Sequence, residues 1–171
     1  MILSGLEIAK KVAAGKEIII TPFDAGRIGP NSYDLRLADR LLVYEDDVLD
    51  MRTAARTREI VIPEEGFVLQ PGKLYLGSTV EFTETHGYVP MLEGRSSLGR
   101  LGISIHVTAG FGDVGFRGNW TLEIHSLTKV RIYAGERICQ IYYHKIEGDY
   151  VPYQGKYQGS EGVLASMKYK D

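Results

Sequence analysis

The sequence lacks several features that fix a protein's class at once. It holds one cysteine, Cys139, in 171 residues, so no intrachain disulfide can form and no cysteine cluster is available to hold zinc. That fits a reducing compartment, and the cytoplasm is the expected location. No apolar run approaches the roughly 20 residues that a membrane-spanning helix needs, so no membrane is expected as a partner. The opening Met1-Ile2-Leu3-Ser4-Gly5-Leu6-Glu7 has neither the charged start nor the long apolar core of a secretory signal. Neither sign of charge dominates: 20 Lys and Arg stand against 22 Asp and Glu, a net charge of −2. A general polyanion binder is more often basic, so nucleic acid is not the expected partner. A single small anion needs only a local cluster of cations, which net charge does not exclude.

What is present reads as globular. The hydrophobic fraction is 44% and the charged fraction 25%, the balance of a chain with a core. The length predicts one domain over 1–171, with 148–171 as a C-terminal arm. Ser4 followed by Glu7 three residues later is a capping-box pattern, Ile8 and Val12 share a face, and Gly15 is a stop, so a short helix is predicted there. After it the period changes to two. Ser32 to Leu37 alternates polar and apolar, as a half-buried strand does. Further strands are predicted at 41–44, 60–62, 74–76, 80–83, 103–107, 120–125, 130–133 and 137–143. Most of the 20 glycines fall between these runs, which suggests a β-sandwich or barrel. The arm mixes Gly148, Gly155, Gly159 and Gly162 with Tyr150, Tyr153, Tyr157 and Lys156. It reads as mobile, with backbone that can approach a phosphate and rings that can stack on a base.

Three segments carry chemistry. Glu93-Gly94-Arg95-Ser96-Ser97-Leu98-Gly99-Arg100 offers two guanidiniums, two hydroxyls and exposed backbone N–H groups, a donor set for an oxyanion or for surface ion pairs. It lacks the Gly-Lys-Ser/Thr ending of a Walker loop. The glycine-rich run from Thr108 to Gly118 carries Asp113, which either caps a turn or orients a water or a sugar hydroxyl. In Trp120-Thr121-Leu122-Glu123-Ile124-His125, alternation puts Glu123 opposite Leu122 and Ile124, on a solvated face or in a pocket where it can carry a proton. Cys139 reads as core packing. His106, His125 and His144 read as isolated packing or surface residues, with no metal-ligand spacing.

Taken in order, these segments resemble the dCTP deaminase family, a branch of the trimeric dUTPase-like fold. The match runs through Asn31-Ser32-Tyr33-Asp34-Leu35-Arg36-Leu37, the string Gly94-Arg95-Ser96-Ser97-Leu98-Gly99-Arg100-Leu101-Gly102, then His106-Val107-Thr108-Ala109-Gly110, Asp113 and Leu122-Glu123. It continues through Arg137-Ile138-Cys139-Gln140 and Pro152-Tyr153-Gln154-Gly155-Lys156-Tyr157. The resemblance implies a mainly β fold, a distorted β-barrel or jelly roll with a short N-terminal helix and a flexible C-terminal arm. It implies that Glu123 activates the water attacking C4 of cytosine and passes the proton to departing ammonia, with Ser96 and Arg100 supporting it. Arg95, Ser97 and Gln140 are implied as nucleotide contacts, Ala109 as part of the loop that reads the base through backbone atoms, and Asp113 as the contact to the 3′-hydroxyl. Tyr153, Lys156 and Ser160 are implied as triphosphate contacts on the arm, with Ser160 standing where many relatives have Gln.

The same resemblance implies a homotrimer with sites between neighbouring subunits, dCTP and dUTP as substrates, dTTP as an inhibitor, and Mg²⁺ bound through the triphosphate rather than to the protein. Zinc is not expected, because the His-x-Glu and Pro-Cys-x-x-Cys signature of zinc deaminases is missing. Thr108-Ala109-Gly110-Phe111 resembles members that continue from dUTP to dUMP and diphosphate, with Asp113 also orienting the second water. A dUTPase without deamination and a non-catalytic nucleotide-binding trimer are the alternatives. Gly112 stands where the family usually has a β-branched residue, which predicts a looser loop.

Overall fold

The computed structural model describes residues 1–107 and 109–171. Thr108 lies outside the described residues, and so does its part in the Thr108-Ala109-Gly110-Phe111 reading.

Helix α1 (Gly5–Ala14) forms as its capping pattern predicts. The Ser4 hydroxyl accepts from the Glu7 N–H at 3.2 Å, and Gly15 ends the helix. Ile8, wholly buried, anchors it to the core, with Val12 beside it. Eleven strands follow: β1 (Ile18–Thr21), β2 (Tyr33–Arg36), β3 (Arg40–Tyr44), β4 (Thr57–Val61), β5 (Phe67–Leu69), β6 (Tyr75–Thr85), β7 (Tyr88–Gly94), β8 (Ile103–Ile105), β9 (Arg117–Ser126), β10 (Val130–Ile132) and β11 (Arg137–Lys145). A single helical turn, α2 (Ser96–Gly99), sits between β7 and β8.

All strand pairs are antiparallel. The largest sheet has the order β4-β3-β6-β9-β8, with β1 also paired to β6. A second sheet runs β2-β11-β7 and a third pairs β10 with β5. Leu122 and Ile124 of β9, Leu35 of β2, Ile141 of β11, Leu92 of β7 and Leu69 of β5 belong to one core cluster, so the three sheets share a single interior. The expected barrel is corrected here. Among the described residues β4 and β8 remain free edges of the large sheet, and the short β5–β10 ribbon does not join them, so the sheets stack without closing.

The long strand β6 was expected as two pieces, 74–76 and 80–83. Its register to β9 shifts between Ser78 and Phe82, and the irregular residues break the alternation while the strand continues. The shift is held by the Thr79 hydroxyl, which donates to the Glu81 carbonyl at 2.8 Å and accepts from the Trp120 N–H at 3.0 Å. Nearby, the fully buried Glu81 carboxylate accepts from the Arg36 N–H at 2.8 Å, Arg36 Nε at 2.7 Å and Arg27 Nη1 at 3.2 Å. A buried carboxylate is tolerated when its oxygens are filled this way, and here it ties β2 to β6.

The arm does not stand off the body. The Ser160 carbonyl accepts from the Asn119 N–H at 2.9 Å, the Gly162 N–H donates to Asn119 Oδ1 at 3.2 Å, and the Leu164 N–H donates to Thr121 Oγ1 at 3.0 Å. The arm therefore lies along β9 and returns toward β3, where the Ser166 N–H donates to the Tyr44 hydroxyl at 3.0 Å.

Candidate active site

Strand β9 carries Leu122 and Ile124 into the core and turns Thr121 and Glu123 the other way, as alternation requires. Glu123 thereby lines a cavity of about 570 Å³ between β9, the 109–116 loop and the docked arm. Ala109, Asp113, Tyr153 and Ser160 line the same cavity. Phe116 and Trp120 form one wall, with ring centroids 4.3 Å apart, and Tyr153 continues it at 6.0 Å from Phe116. The Trp120 indole N–H donates to Thr83 Oγ1 at 2.8 Å, which fixes that wall. A rigid aromatic wall suits a flat ring or a sugar face.

The Glu123 carboxylate is 37% exposed and has one partner among the described residues. His106 Nδ1 lies 2.5 Å from its Oε2. This corrects the expectation of an isolated histidine. The pair is joined across 17 positions by the β8–β9 pairing, so no local spacing announces it. One carboxylate oxygen is held and the other has no partner among the described residues, an arrangement that can take a proton from water and return it to a leaving group.

The loop beneath the cavity is tighter than Gly112 predicts. Its N–H donates to the Pro90 carbonyl at 2.9 Å. A Cβ there would lie 2.5 Å from the Trp120 ring and 2.8 Å from that carbonyl oxygen. At Gly110 a Cβ would come within 2.2 Å of the Leu92 carbonyl oxygen, while its own carbonyl accepts from the Leu92 N–H at 2.8 Å. The two glycines let the loop press onto β7 and the aromatic wall.

The remaining sequence-predicted residues lie elsewhere. Arg95, Ser96, Ser97, Arg100 and Gln140 do not line this cavity. Arg95 Nη2 is 3.2 Å from Asp34 Oδ2, and Arg137 Nη1 reaches the same oxygen at 3.3 Å. Two guanidiniums on one carboxylate leave a net positive patch. Gln140 faces Asp34 across the β2–β11 pairing and accepts from the Ser32 hydroxyl at 3.0 Å. Ser96, Ser97 and Arg100 are exposed on the turn of α2. On the arm, Lys156 pairs with Asp171 rather than facing the cavity, and the Ser160 hydroxyl donates to the Asn119 carbonyl at 2.7 Å. Burial pushes the Cys139 thiol far up from its ordinary value, as fits a core residue rather than a nucleophile. Among the described residues no three His, Cys, Asp or Glu side chains gather to hold a metal ion, and no helix is long and apolar enough to cross a membrane.

The fold defines the class. The structure resembles the crystal structure of 2′-deoxycytidine 5′-triphosphate deaminase from Agrobacterium tumefaciens, with a TM-score of 0.66 at 22% identity. That likeness covers 83% of this chain and 47% of the other, so the chain spans about half the length of that protein. It is a mainly β architecture with one short N-terminal helix.

Residues 2–146 match the model of the dCTP deaminase-like family, and the chain belongs to that family. A protein of Clostridium acetobutylicum named dCTP deaminase, dUMP-forming, is 60% identical over 172 aligned positions, which span 100% of this chain and 98% of that one. A protein of the same name from Cytophaga hutchinsonii is 58% identical over the same shares.

Proposed function

We propose that the protein deaminates dCTP to dUTP and ammonia and hydrolyses the dUTP to dUMP and diphosphate. The observation that carries the reading is Glu123 in a cavity with an aromatic wall, one carboxylate oxygen fixed by His106 and the other open. The family and the 60%-identical, full-length relative give the reaction its substrate.

In the first step Glu123 takes a proton from water as the water oxygen bonds to C4 of cytosine. The same carboxyl then delivers the proton to the amino nitrogen as the C4–N bond breaks and ammonia leaves. One group in two successive roles typically contributes ~10²–10⁴ in rate. In the second step a water oxygen bonds to the α-phosphorus and diphosphate departs, with Asp113 at the cavity orienting that water and the 3′-hydroxyl. Ala109 reads the base through its backbone, and Tyr153, Lys156 and Ser160 serve the phosphate end from the arm. Asp113 and Glu123 are the cavity's carboxylates and His106 lines it with them, but among the described residues no three such side chains gather to hold a metal ion. On this reading Mg²⁺ is carried on the triphosphate, whose charge it neutralises.

The two separated groups support assembly from neighbouring copies. Arg95, Ser97 and Gln140 as nucleotide contacts, and Ser96 and Arg100 as supports for Glu123 and its water, are brought by one subunit of a homotrimer to the Glu123 cavity of the next. The apolar Leu101 and Leu127 beside α2 are 53% and 83% exposed, and the Leu127 N–H donates to the carbonyl of Gly102, the residue after Leu101. Such a patch is suited to burial against another copy. On this reading the whole chain is one domain of the cytoplasm, and dTTP inhibits by occupying the same pocket.

Incubation with dCTP and Mg²⁺ followed by ion-exchange separation tests the proposal. The expected product is dUMP. Accumulation of dUTP alone would remove the second step. Hydrolysis of dUTP with dCTP untouched would leave a dUTPase, and unreacted dCTP and dUTP would overturn the proposal.

A further inference from the structure

We infer that His106 is a positioning residue for Glu123, an inference that rests on the deaminase reading above. The contact is close, with Nδ1 to Oε2 at 2.5 Å, and the His106 side chain is only 4% exposed. A second tie runs through the backbone, where the His106 N–H donates to the Glu123 carbonyl at 3.2 Å. Both bonds form where the chain leaves β8, one residue beyond the Ile105–Ile124 pair.

The backbone at His106 is unusual. Its φ of 50° lies in the left-handed region, the sole positive value among the described non-glycine residues. A side chain there is strained and persists only where its surroundings over-determine it. Here the position ends the run of β8 and at the same time directs the imidazole back onto β9. The ring also separates two hollows, the Glu123 cavity and a groove of about 430 Å³ along Met91 to Gly94.

The tautomer follows from the partners. Nε2 is buried and has none among the described residues. A hydrogen on Nε2 would leave a buried donor unpaired and set a bare Nδ1 against the carboxylate. A hydrogen on Nδ1 donates to Oε2 and leaves only a lone pair unmatched. The His106 Nδ1–H therefore holds Oε2, and Oε1 is left to work on the water. The hydrogen bond can persist while Oε1 takes up and releases the proton. What it removes is freedom: without it a 37%-exposed glutamate samples rotamers that point away from the reacting carbon.

Three forms separate side chain from backbone. His106→Gly keeps the left-handed backbone and deletes the ring, and His106→Asn tolerates that backbone and offers an amide N–H in place of Nδ1–H. The expected result is a loss in kcat on the order of 10²-fold for His106→Gly, with KM for dCTP unchanged, and recovery of most of kcat in His106→Asn. Wild-type kcat in His106→Gly, or equal losses in both variants, would overturn the inference. The unmodified protein supplies a second reading independent of variant folding. Nitrogen-15 NMR of its histidines should show His106 with hydrogen on Nδ1, and hydrogen on Nε2 would equally overturn it. A wild-type protein that leaves dCTP intact would instead defeat the deaminase reading, while the NMR result would still decide the contact.

Discussion

The Glu123 cavity and the Arg95 patch are built in opposite ways. Glu123 sits on a strand paired on both sides, next to an indole fixed by a hydrogen bond and beside Thr121, to which the chain's own arm is bonded. Arg95 opens a single exposed turn, and its guanidinium shares Asp34 with Arg137 at the surface. Proton transfer needs a fixed carboxylate in a space with little water, whereas phosphate capture needs cations able to leave one anion for another. On the proposed function, rigidity lies with the carboxylate side of the site and accessibility with the arginine side.

Substitutions should separate the halves by their kinetic signature. Glu123→Gln is expected to lower kcat by ~10²–10⁴ while dCTP still binds, and Arg95→Ala to raise KM by ~10–100-fold with a smaller change in kcat. Steady-state kinetics with dCTP checks both, and a common signature for the two variants would erase the distinction. Glu81 is the physical link, since it joins β2, which carries Asp34, to β6, which pairs with β9. Glu81→Ala leaves two guanidiniums facing an empty buried site and should cost about 3–5 kcal/mol in urea unfolding.

Gly112→Val introduces the β-branched residue that the family resemblance leads one to expect, yet its Cβ meets the Trp120 ring and the Pro90 carbonyl. It should cost about 1–3 kcal/mol and shift the emission of Trp120, the single tryptophan, while leaving Arg95-side phosphate binding intact. The smallest effect is expected in acid. The Gly26 N–H and the Arg27 guanidinium hold the Asp24 carboxyl below its ordinary range. A carboxylate whose folded pKa is depressed gives stability that is full above its unfolded value and fades as pH falls through the folded one. Unfolding midpoints should therefore drop modestly below about pH 4, and less in Asp24→Asn.

Much of this plan is legible in the residues, and the gaps have physical causes. The Ser4 cap, the alternation of β2 and β9 and the outward face of Glu123 are local properties, and each appears where the pattern puts it. Strand β7 escapes because Pro90 lacks an N–H, and it is tolerated where β7 forms the edge of its sheet. Strands β1 and β5 escape because four and three residues hold too little alternation to read. His106 reads as isolated because its partner arrives through tertiary pairing. Gly112 reads as slack because composition cannot show that an indole fills the space a side chain would need.

The central claim is that one active site takes its carboxylate from one subunit and its guanidiniums from another. Co-expression of Glu123→Gln with an Arg95→Ala, Arg100→Ala double variant, assayed beside each variant alone at dCTP too dilute to saturate the double variant, tests it directly. In randomly mixed homotrimers about a quarter of such shared sites combine two intact halves, so dCTP turnover should recover to about that fraction of wild type. Mixed assemblies no more active than the parent variants would contradict it.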